Sequence, residues 1–144
     1  MPVKQVIVVR TKYPDGRGGF FKPRTGKLIA QGAHASMKVF FDRGEVLQDS
    51  LPDDPANPFY LDIDLTEEMR LWVQGMFTKV CVQVESEEEL RELYAKARKA
   101  KLPCALIEDA GKTEFHGVPT PTCIAIGPAD ASAIDEITGH LKLL

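Results

Sequence analysis

The sequence predicts a three-layer α/β sandwich, with helices on both faces of a mostly parallel or mixed sheet. Three observations carry this expectation. Strand-like β-branched runs alternate along the chain with amphipathic segments that open on helix caps. A length of 144 residues, with 44% hydrophobic and 27% charged residues, suits one domain, 1–144, with a sizeable core. There is no internal repeat and no low-complexity segment to suggest another architecture.

The elements follow in order. "VKQVIVVR" (3–10) is a β-branched run and reads as a buried strand. A basic, Gly-rich loop follows at 11–25, with turn signals at Pro14-Asp15-Gly16 and Gly18-Gly19. A helix is expected from about Lys27 to Phe41, with Ile29, Ala33, Met37 and Phe40 on its core side. Residues 43–64 read as a long acidic insertion carrying Pro52, Pro55 and Pro58. Thr66 caps a short helix, "EEMRLWVQ", which Gly75 stops. "FTKVCVQV" (77–84) is the second strand, and Ser86 with Glu89 forms a capping box for a helix to about Ala100. Leu90, Leu93 and Ala97 give that helix its apolar stripe. "PCALIED" (103–109) and "TCIAIG" (122–127) supply the third and fourth strands, and a last helix opens near Asp130 and ends at Gly139.

Charge is divided sharply along the chain. The net charge is −3, yet residues 1–41 carry +7, residues 42–68 carry −8 and the remainder −2. A basic first third on an acidic chain is either a local anion-binding face or solvated surface. No apolar run approaches the ~20 residues that span a bilayer, and "MPVKQVIVVR" lacks the marks of a signal peptide. The three cysteines, Cys81, Cys104 and Cys123, lie in apolar runs and fit buried reduced thiols in a cytoplasmic protein.

Several chemistries fit poorly. No G-x-S-x-G surrounds a serine, no C-x-x-C exists, and His34, His116 and His140 lack metal-ligand spacing. "GRGG" lacks the Lys-Ser/Thr ending of a P-loop. What stands out is "GKLIAQGAHAS" (26–36), where Lys27, Gln31 and His34 share one helical face among small residues. Ligands gather outside strand carboxyl ends in α/β sheets. Lys27 follows the loop leaving the first strand, and "DAGKTEFHGVPTPT" (109–122) begins where the third strand ends. Lys27, Asp109, Thr113 and Thr122 are therefore expected to meet in one crevice. Lys27 suits an oxyanion or a phosphate, Asp109 suits a water, and the threonines suit either. Each also has an ordinary surface or strand role.

The combination of "KQVIVVR…GKLIAQGAHAS", "KVCVQVESEEELRELYAKARKAKLPCALIEDAGKTEF", "TPTCIAIGPA" and "IDEITGHLKLL" resembles the archaeal and eukaryotic type of peptidyl-tRNA hydrolase, the second class. The resemblance covers 3–10, 26–41 and 72–144. It implies a four-stranded mixed sheet and hydrolysis of the ester between a peptidyl group and the 3′ ribose of tRNA, in the cytoplasm. It implies a homodimer acting on the tRNA acceptor end, with no metal or organic cofactor. It implies catalytic roles for Lys27, Asp109, Thr113 and Thr122, with Thr120 the alternative to Thr122. Gln31 and His34 take supporting or tRNA-binding roles. The loop at 11–25 and the insertion at 43–64 have no counterpart in that pattern, and Arg17, Lys22 and Arg24 of the loop are expected to meet phosphates. A non-catalytic tRNA- or protein-binding adaptor, and a hydrolase of another acyl- or aminoacyl-tRNA ester, are the alternatives.

Overall fold

The computed structural model describes residues 2–48, 58–110 and 117–144. In chain order the elements are β1 (Val3–Arg10), β2 (Tyr13–Pro14), β3 (Phe20–Phe21), α1 (Thr25–Phe41), β4 (Gly44–Gln48) and β5 (Phe59–Ile63), then α2 (Glu67–Gln74), β6 (Lys79–Val84), α3 (Glu87–Lys99), β7 (Cys104–Asp109), β8 (Thr120–Asp130) and α4 (Ala131–Thr138). The main sheet has the order β6-β1-β8-β7 and is mixed. β1 runs parallel to β6 and antiparallel to β8, which in turn pairs antiparallel with β7.

Strand periodicity divides the core in two. Val6 and Val8 of β1, with Val82, Val84, Ile124 and Ile126, face Leu90, Leu93 and Ala97 of α3 and Ile134 and Ile137 of α4. The opposite face presents Ile7, Val9, Cys123 and Ala125 to Leu28, Ala35 and Val39 of α1 and to Met69 of α2. The caps act as expected. Thr66 Oγ1 accepts the Met69 N–H at 3.1 Å, and Ser86 Oγ accepts the Glu89 N–H at 3.1 Å.

Four expectations are corrected. The basic 11–25 segment is not merely a loop, because β2 and β3 pair within it as a small hairpin. Residues 43–64, expected as an insertion without regular structure, contain a second hairpin, with β4 and β5 in register from Gly44–Ile63 to Gln48–Phe59. Gly44 permits the close start of that pairing, since a Cβ there would lie 2.6 Å from the Asp62 carbonyl oxygen. The core side of α1 is Leu28, Gln31, Gly32, Ala35 and Val39, whereas Ile29 and Met37 are 67% and 52% exposed. Only Phe40 of the predicted set packs against the core. Of the cysteines, Cys123 is buried, Cys104 half-buried and Cys81 exposed. Burial pushes the Cys104 and Cys123 thiols up.

Candidate active site

β1, β6 and β7 end on the same edge of the sheet, and α1 begins at that edge because it follows β1. The first turn of α1 thus carries Lys27 to the end of β7, where Asp109 is the last residue. Lys27 Nζ lies 2.7 Å from Asp109 Oδ2, with the two side chains 16% and 11% exposed. One turn further along α1, Gln31 Nε2 donates to the same Oδ2 at 2.7 Å. Gln31 Oε1 accepts from Thr122 Oγ1 at 2.8 Å. Thr122 Oγ1 also lies 3.5 Å from the Ile107 carbonyl oxygen. These contacts form one line from a buried hydroxyl to a partly open ammonium.

The order of that line follows from donor chemistry. A carboxylate only accepts, so the amide must turn its NH₂ to Asp109 and its oxygen to Thr122. The Thr122 hydroxyl, on β8, supplies the donor that oxygen needs. Gln31 and Thr122 are 4% and 1% exposed. Burial at that depth is tolerated because both ends of the amide are paired.

The other expected residues are distributed around this line. Thr120 stands opposite Asp109 in the β7–β8 register, half-buried, and its hydroxyl donates to the Val118 carbonyl at 2.8 Å. Thr113 lies outside the described residues. His34 is exposed on the α1 flank that carries Lys27. Arg17 sits in the β2–β3 turn, Lys22 just after β3, and Arg24 at the N-cap of α1, all exposed.

One organising residue escaped the sequence reading. Arg10, at the end of β1, is buried with its guanidinium 4.2 Å from the centre of the Tyr13 ring. Its Nε donates to the Lys12 carbonyl at 3.1 Å and its Nη1 to the Pro121 carbonyl at 3.4 Å. It ties the β2–β3 hairpin to the start of β8, one residue before Thr122. A lone arginine closing a β-branched run was the available signal.

On the other flank of α1 lies an apolar groove of about 610 Å³. Ile7, Val9 and Cys81 floor it, and Ile29 and Met37 wall it, with Phe77 and Leu144 across from them. Among the described residues, no group of three His, Cys, Asp or Glu could hold a metal ion, and no helix is long and apolar enough to cross a membrane.

Comparison with known proteins adds an independent line. The family described as Peptidyl-tRNA hydrolase PTH2 matches residues 3–144. A protein named peptidyl-tRNA hydrolase from Thermococcus onnurineus is 48% identical over 141 residues, covering 98% of this chain and 97% of its own length. One of the same name from Methanocaldococcus jannaschii is 39% identical over 142 residues, covering 99% of this chain and all of its own length. Another from Sulfurisphaera tokodaii is 38% identical over 144 residues, covering the whole of both chains. A solved structure of a protein of unknown function from Agrobacterium tumefaciens strain C58 has the same fold, with a TM-score of 0.53 at 12% identity over 100% of this chain and 98% of its own.

Proposed function

The chain belongs to the peptidyl-tRNA hydrolase PTH2 family, and on that premise we propose how its residues hydrolyse the ester joining a peptidyl group to the 3′ ribose of tRNA. The observation that carries the reading is the line Lys27–Asp109–Gln31–Thr122, held by three contacts of 2.7–2.8 Å. Asp109 orients a water against the ester carbonyl and takes its proton as the tetrahedral intermediate forms. Lys27, fixed by Asp109, stabilises the developing oxyanion. When the intermediate collapses, the C–O bond to ribose breaks and the 3′ oxygen leaves as a hydroxyl, with the proton returned from Asp109. The products are tRNA and a peptide carboxylic acid, which releases its proton to solvent and leaves as the carboxylate. Thr122 is too buried to touch substrate, so its role is to hold Gln31, which holds Asp109. Of the expected threonines, Thr120 is the described one that meets the substrate, Thr113 keeps the role the resemblance implies, and His34 meets the terminal nucleotides.

The depth of Gln31 and Thr122 supports an enzyme over an adaptor. A binding surface has no need of a buried line behind one lysine. The test is cleavage of N-acetyl-aminoacyl-tRNA, followed on acid gels. Purified protein is expected to release free tRNA, and Lys27→Ala and Asp109→Ala each to cut turnover by at least ~100-fold while the protein stays folded. Intact ester after long incubation with folded protein would overturn the reading. A cytoplasmic location belongs to the same proposal, supported by the tRNA substrate and by three cysteines in no disulfide. So does a homodimer formed through the apolar groove, supported by Ile29 and Met37 standing in water on its wall.

A further inference from the structure

At the opposite end of β7 from Asp109 lies a second, smaller pocket of about 300 Å³. Arg43, just past α1, and Arg98 and Lys101, at the foot of α3, contribute three cations to its lining, together with Thr66 and Cys104. Among the described residues, no carboxylate lines it. Arg43 Nε donates to the Asp64 backbone carbonyl at 2.9 Å, and Arg98 Nη1 to the Tyr94 hydroxyl at 3.2 Å. Both partners are neutral, so they orient the guanidinium groups without cancelling their charge. Among the described residues, no ion pair engages Arg43, Arg98 or Lys101. On the neighbouring helix faces, by contrast, Lys38 is matched by Asp42 at 2.9 Å and Lys96 by Glu92 at 3.4 Å. Three cations with no ion pair among the described residues thus share this one pocket.

We propose that the pocket of Arg43, Arg98 and Lys101 binds a backbone phosphate of the tRNA, remote from the scissile ester. The inference rests on the hydrolase reading above, because it takes its ligand from that substrate. Reach fits. From Lys27 to Arg43 the chain follows α1, which rises about 1.5 Å per residue, so the two sites stand roughly 24 Å apart along the helix. A span of that length covers several nucleotide steps, from the single-stranded 3′ end that carries the ester into the A-form acceptor stem. Between them, Lys27, His34 and Lys38 share one flank of α1. A strand held at Lys27 thus has a polar path to follow toward Arg43. Arginine forks match phosphate oxygens in pairs, and Lys101 adds a point charge.

The test is binding of deacylated tRNA across a range of KCl concentrations. The protein carries Arg43→Gln, Arg98→Gln and Lys101→Asn together. Lys101 has φ 59°, a conformation that asparagine accepts. The triple variant is expected to bind tRNA about tenfold more weakly at low salt. It should also flatten the slope of log Kd against log salt by about one to three. Lys101→Glu alone, on an exposed side chain, should move both in the same direction. In the cleavage assay, the preference for full-length substrate over the same ester on a CCA trinucleotide should fall by a similar factor. Unchanged tRNA affinity and salt slope in both variants would overturn the proposal, including where the pocket is found to take only free inorganic phosphate. Failure of the hydrolase reading shows instead as uncleaved ester with the unsubstituted protein, a result on which the binding measurement does not depend.

Discussion

Gln31 has two polar ends, and both are engaged inside the protein. Its NH₂ reaches Asp109 and its oxygen receives the Thr122 hydroxyl, so the side chain transmits the position of a strand to a carboxylate. Thr122→Val keeps the shape and removes the donor, leaving a buried amide oxygen unpaired. Such a loss costs about 1–3 kcal/mol, and each kcal/mol lowers Tm by roughly 3 °C in a domain of this size. A positioning role predicts that destabilisation together with a fall in kcat clearly smaller than that of Lys27→Ala. Direct chemistry by Thr122 would give the same destabilisation with a loss of turnover as large as that of Lys27→Ala. Turnover, measured with melting curves on the same preparation, separates the two. Gln31→Glu is the harsher change. It sets a second carboxylate 2.7 Å from Asp109 in a buried place, and is expected to cut turnover about 100-fold, the scale of losing an acid–base or oxyanion group. Near-normal turnover in Gln31→Glu would remove the amide from the line.

At the scale of elements, the strands and capped helices were legible, and the facing of α1 was not. Ser86 and Thr66 reveal their helices because a cap is a local contact, complete within four residues. Leu90, Leu93 and Ala97 reveal their buried stripe because nothing polar competes for it. In α1 the hydrophobic pattern points the wrong way. Ile29 and Met37 face outward, while polar Gln31 faces inward because partners from β7 and β8 await it, and those are 78 and 91 residues distant in sequence. The meeting of Lys27 with Asp109 was legible from strand-end logic, whereas the burial of Thr122 depends on β8 beginning at Thr120. The β4–β5 hairpin was hidden by a proline-rich, acidic composition that signals loop. Gly32 offers a test of the corrected facing. It is buried against the sheet, but a Cβ there would meet only Ile7 Cγ2, at 3.6 Å, an ordinary contact. Gly32→Ala should therefore stabilise the protein by about 0.5–1 kcal/mol through helix propensity. A lowered Tm would mean that α1 sits closer to the sheet than this geometry allows.

For the whole molecule, the outward stripe of α1 raises the question of what covers it. Ile29 and Met37 wall a groove whose floor is the sheet face of Ile7, Val9 and Cys81, left open because α1 and α2 cover only part of that side. Phe77, 52% exposed, stands across it. Leaving such a patch in water forgoes about 25 cal/mol for each Å² that could be buried. A second copy related by a two-fold axis would bury the same stripe on both chains at once, which is why one apolar face suffices for a closed dimer. The Lys27–Asp109 pair lies on the opposite flank of α1, so pairing through the groove leaves each ester site open. The expected result is a mass near twice 15.9 kDa by light scattering. Ile29→Glu combined with Met37→Glu should convert that to a monomer, because the interface would then have to bury like charges without partners. A monomeric mass for the unsubstituted protein at tens of micromolar would refute the pairing. A dimer that survives both glutamates would move the interface elsewhere, with the exposed Val46, Phe59 and Tyr60 of the β4–β5 hairpin as the next apolar surface to test.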